Sequence, residues 1–143
     1  MTRASAVLIV AGCAYLLSWF LPVTDGFPGW QAFRAALSPI WPVDTYGHQG
    51  PYYAAFFIAS AFTNVVFVAL LVDLATGRRL GLRPTVSILV VAMALNLYWL
   101  IVLGDDRADL RVGYYLWVCS FFFLIVGARV PAGSKPSFGA REE

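Results

Sequence analysis

YYAAFFIASAFTNVVFVALLVDLA, residues 52–75, is the stretch that decides the fold. Its only charge is Asp73, third from the end. A membrane span needs roughly 20 mostly apolar residues, and this stretch exceeds that. In lipid no water bonds to the backbone, so each N–H and C=O must be satisfied inside the segment, which makes it a helix.

Three further stretches read the same way: about 4–21, 85–103 and 112–130. None has a charge in its middle. The joints agree. Pro22 follows the first span and Pro51 precedes the second; Gly77, Gly81 and Pro84 with Arg78, Arg79 and Arg83 make the next turn. Gly104-Asp105-Asp106 ends the third span. The expectation is an all-α, polytopic membrane protein: four transmembrane helices in a bundle over 1–130, with a disordered tail at 131–143 rich in Pro, Gly, Ser and charge.

Composition points the same way. Of 143 residues, 60% are hydrophobic and 13% charged, against about 25% charged in soluble domains. Mean hydropathy is +0.73. A net charge of +2, scattered over loop ends, gives no basic stripe for nucleic acid. The predicted partners are membrane lipids, with a homo-oligomer or larger membrane complex as a further expectation.

Lys and Arg set the orientation. With the N-terminus inside, the inner segments carry seven (Arg3, Arg78, Arg79, Arg83, Arg129, Lys135, Arg141) and the outer loops three (Arg34, Arg107, Arg111). Both termini are therefore expected in the cytoplasm. Nine Arg against one Lys fits a GC-rich bacterial genome and a bacterial cytoplasmic (inner) membrane.

Arg3 and the apolar run after it resemble a signal peptide, and Val10-Ala11-Gly12-Cys13 resembles a lipobox. The chain after Cys13 continues the span, so an ordinary uncleaved span is preferred. Cys13 and Cys119 each fall inside a span without a Cys-x-x-Cys, and small hydrophobic packing is the expected role.

The outer loop, 22–51, is too short for a folded domain lacking disulfides or metal. Within it GWQAFRAAL places Trp30, Phe33 and Leu37 at i, i+3 and i+7, one helical face. Pro28 suits the helix start and Pro39 ends the run. A short amphipathic helix at about 29–38, lying in the interface plane, is the economical reading. The alternative is a cap over the outer mouth of the bundle, since long loops often carry function.

The binding candidates are all on that outer side: Trp30, Phe33, Trp41, His48, Trp99, Asp105, Asp106, Arg107, Arg111, Tyr114, Tyr115 and Trp117. The aromatics form either an interfacial belt or a pocket, because their rings suit the headgroup level. A lone His48 among loop carboxylates is not a metal signature. No residue is assigned as catalytic, and no metal or cofactor is assigned.

Helix packing is expected from Ala55, Ala59 and Thr63, spaced by four, with Ser60 and Asn64 beside them, and from Gly113, Ser120 and Gly127 on the fourth span. Asn64 and Asn96 need hydrogen-bond partners in a dry bundle. Asp73 is expected to pair with Arg78, Arg79 or Arg83, whose long stems reach it by snorkelling. Three functions follow. The first is a non-enzymatic interaction or accessory subunit that associates through the small-residue faces and the outer aromatic surface. The second is lipid or amphiphile binding or processing at the outer leaflet. The third is a small transporter or channel using Asp73, Asn64 and Asn96.

Overall fold

The computed structural model describes residues 3–40, 50–77 and 81–130, with the side chain of Asp106 left aside. Trp41, His48, Arg78, Arg79 and the tail 131–143 lie outside the described residues. The described chain is mostly helical. Four of its helices are long and apolar enough to cross a membrane.

The first is α1 (Arg3–Phe20). A hairpin follows, β1 (Pro22–Thr24) antiparallel to β2 (Phe27–Pro28), with Thr24 opposite Phe27. Between the strands stands Asp25-Gly26, a dipeptide that tight hairpin turns favour. The hairpin leads into the short helix α2 (Gly29–Leu37), whose N-cap is Pro28. Next come α3 (Pro51–Thr76) and α4 (Leu82–Leu97). After an interruption at Tyr98 the third span ends in α5 (Trp99–Val102), followed by a 3-10 turn (Gly104–Asp109) and α6 (Val112–Arg129). With 26 residues, α3 is about 39 Å long at 1.5 Å per residue.

Small residues determine which helices touch. The buried face of α6 carries Gly113, Ser120, Gly127 and Ala128. α6 packs along α1 and then against α4. A Cβ on Gly113 would sit 2.7 Å from the carbonyl oxygens of both Leu21 and Pro22, and one on Gly127 would sit 3.0 Å from Leu8 Cδ2. Without a driving force between apolar side chains in lipid, close approach of this kind is what holds helices together.

α3 packs on α4 and α2 and makes little contact with α6. Towards the connection between α3 and α4 the bundle is filled by Tyr15, Phe67, Leu70, Leu89, Phe121 and Leu124. Phe67 stacks on Tyr15 at 4.4 Å and meets Phe121 edge-on at 5.0 Å. Towards α2 the helices part and the space between them is open.

Candidate functional site

The parting of α3 from α6 leaves a cavity of about 720 Å³, within the range of small-molecule sites, ~300–1,000 Å³. Its walls are the ends of α1, α3, α5 and α6, and α2 forms the roof. Ala32, Phe33, Ala35 and Ala36 of α2 face it.

The roof is positioned by the backbone. Gly29 N–H donates to the Leu21 carbonyl at 3.1 Å. A Cβ on Gly29 would overlap the Ser18 carbonyl oxygen and lie 2.8 Å from Trp19 Cα. Any other residue at 29 would lift α2 from the end of α1. The ring of Phe33 then meets Trp19 at 5.2 Å. On the other side, Arg111 N–H donates to the Val23 carbonyl at 2.8 Å. The Arg111 side chain grips Asp25 Oδ1 through Nε at 2.7 Å and Nη2 at 2.6 Å. Hairpin, α2 and the start of α6 are thus one assembly.

The floor is polar and its bonds have a definite direction. Trp117 Nε1 can only donate, and it lies 3.0 Å from the side-chain oxygen of Asn64, which also accepts from Tyr15 Oη at 3.1 Å. The Asn64 amide nitrogen donates to the Ala61 carbonyl at 3.1 Å. A second chain begins at Trp99 Nε1, which donates to Ser60 Oγ at 2.9 Å. Ser60 donates to Asn96 Oδ1 at 3.1 Å, Asn96 Nδ2 to Thr63 Oγ1 at 3.1 Å, and Thr63 to the Ser60 carbonyl at 2.6 Å. Tyr114 Oη donates to the Asn96 carbonyl at 2.8 Å, two residues before the helix is interrupted at Tyr98. Both asparagines tie α3 to its neighbours at the depth where the helices part.

The expected site residues separate into groups. Phe33, Trp99, Tyr114 and Trp117 come together at the cavity with Ser60 and Asn64. Trp30 and Tyr115 point outward. Asp105 and Arg107 are exposed in the 3-10 turn, and Arg111 is engaged by Asp25 at the rim; none of the three lines the cavity. Of the small-residue faces, Ser60, Thr63, Gly113, Ser120 and Gly127 are buried inside the bundle, Ala59 is half-buried and Ala55 is exposed. Asp73 is half-buried near the end of α3, and Arg83 is exposed. Cys13 and Cys119 both lie on the outside of the bundle as free thiols. Among the described residues no three His, Cys, Asp or Glu side chains gather as a metal site.

Several cavity residues were not expected from sequence: Ser18, Phe57, Ala61 and the three alanines of α2. The stripe Trp30–Phe33–Leu37 drew attention to the bulky side of α2. A helix that closes over a cavity instead turns its small side inward, and Ala32, Ala35 and Ala36 are the signal for that. Asp25-Gly26 is the signal for the hairpin that turns α2 back.

The architecture defines a class: a four-span-length helical bundle with a capped, aromatic-lined cavity at one end. Compared with protein-family models, with curated proteins and with solved structures, the chain matches none.

Proposed function

We propose that the chain is a multi-pass protein of a bacterial cytoplasmic membrane, both termini inside, and that it binds an amphiphilic molecule in the outer half of its bundle. The observation that carries this is the capped cavity: large, mainly apolar, aromatic-walled and floored by a few fixed polar groups, as small-molecule sites are. Its place among Trp and Tyr rings matches the headgroup level. The count of Arg and Lys, seven against three, supports that end being outside.

The accessory-subunit reading draws less support. The small-residue faces on which it rests are largely occupied within the bundle. The transporter reading joins Asp73 to the two asparagines, yet Asp73 is about two and a half helical turns of α3 from Asn64 at about 3.6 residues per turn.

Native mass spectrometry of the protein extracted with its surrounding lipid tests the proposal. A lipophilic adduct is expected on the wild type and is expected to be lost in Ala36→Trp, which fills the cavity from its roof. A bare protein, or the same adduct on both, refutes it. A defined oligomer with no adduct would return the argument to the accessory-subunit reading.

A further inference from the structure

We propose that the cavity selects an uncharged lipid by a carbonyl group, an ester or a ketone, which accepts a hydrogen bond from the Asn64 side-chain amide. This rests on the amphiphile-binding role above and names the ligand class for that site.

The first argument is charge. Among the described residues twenty-one line the cavity, and none of them is Asp, Glu, Lys, Arg or His. An unpaired charge is costly to bury, so a phosphate or ammonium headgroup finds no counter-ion among these residues. The ion pair at the mouth, Arg111–Asp25, is already closed on itself.

The second argument counts donors. Deep in the cavity, Ser18 Oγ donates to the Tyr15 carbonyl at 2.6 Å, Ser60 and Tyr114 donate to Asn96, Trp99 donates to Ser60, and Trp117 donates to Asn64. Each of these side chains has one N–H or O–H, and it is committed. Asn64 has two amide N–H groups. One goes to the Ala61 carbonyl; among the described residues nothing takes the other. Asn64 is 8% exposed and lines the cavity. The two donors on its oxygen fix the amide orientation, so the nitrogen cannot be exchanged for the oxygen. The remaining hydroxyls, Thr24 in the hairpin and Tyr53 at the start of α3, stand near the roof. The one uncommitted donor at depth thus calls for an acceptor on the ligand.

The test uses the full chain in phosphatidylcholine nanodiscs. Three probes of similar chain length quench its tryptophans: dibrominated methyl stearate, dibrominated octadecane and dibrominated octadecyl sulfate. The ester is expected to quench with a midpoint about tenfold below that of the hydrocarbon, the effect of one hydrogen bond made in an apolar site. The sulfate should gain nothing over the hydrocarbon. Asn64→Leu should remove the ester preference while hydrocarbon binding persists, which also shows that the variant folds. If it does not fold, the wild-type ratio still decides. Equal midpoints for ester and hydrocarbon overturn the carbonyl assignment and leave amphiphile binding standing; tighter sulfate binding overturns it in favour of an anionic lipid. No saturable quenching by any probe overturns both. Displacement of the bound ester by dioleoylglycerol or by a decyl-substituted benzoquinone then distinguishes a glycerolipid ester from a lipidic ketone, and displacement by neither counts against the assignment.

Discussion

Replacing Asn64 by Leu removes the acceptor shared by Tyr15 Oη at 3.1 Å and Trp117 Nε1 at 3.0 Å. Its third bond, to Ala61, goes to a carbonyl of its own helix and adds little. Interhelical bonds within membranes average ~0.6 kcal/mol and reach ~1.7, so losing two costs about 1–3 kcal/mol. Tyr15→Phe removes the phenolic oxygen alone and should cost about 0.5–1.5 kcal/mol. The two losses share one bond. Once the phenol is gone, deleting the acceptor orphans only the indole, so the double variant should be less damaged than the sum by about 0.5–1.5 kcal/mol. Steric trapping of the unfolded state in bicelles measures all four corners of this double-mutant cycle. Additivity within about 0.3 kcal/mol, the behaviour of independent sites, would refute the view that Asn64 holds α1 and α6 to α3 through one shared oxygen.

Other consequences follow from single contacts. Gly113→Ala forces a Cβ against two backbone oxygens at 2.7 Å; about 1–3 kcal/mol of destabilisation is expected, and an unchanged unfolding free energy would count against the tight α1–α6 approach. Gly29→Ala should raise α2 and weaken binding of a brominated lipid probe more than it lowers global stability. Asp25→Asn opens an ion pair whose side chains are about half exposed, so the cost should stay under about 1 kcal/mol and shrink further in high salt. Spin labels on Cys13 and Cys119, which face outward, should be relaxed by oxygen and not by a polar nickel chelate; the opposite result would place those faces in water.

Span-forming helices were legible because the lipid requirement acts on each segment alone: twenty apolar residues suffice, whatever lies beside them. Turn residues were legible for a related reason, since Pro51 at the first turn of α3 and Gly77 at its C-cap, in the left-handed conformation, act through their own backbone. The interruption at Tyr98 was not foreseen, because the apolar run continues through it. Asn64 and Asn96 announced a need for partners, yet the partners they meet on other helices are 18 to 53 residues distant in sequence, and a pattern of periodicity carries no such distances.

The sequence by itself determined four apolar helices and a short amphipathic one, since hydropathy, proline and glycine act locally. Only the tertiary structure decided that α2 turns its alanines inward over a cavity, that the small-residue face of α6 meets α1, and that Asn64 keeps, among the described residues, one uncommitted N–H. Those are outcomes of which surfaces approach closest, and a space between helices is a property of the assembly that no single segment encodes.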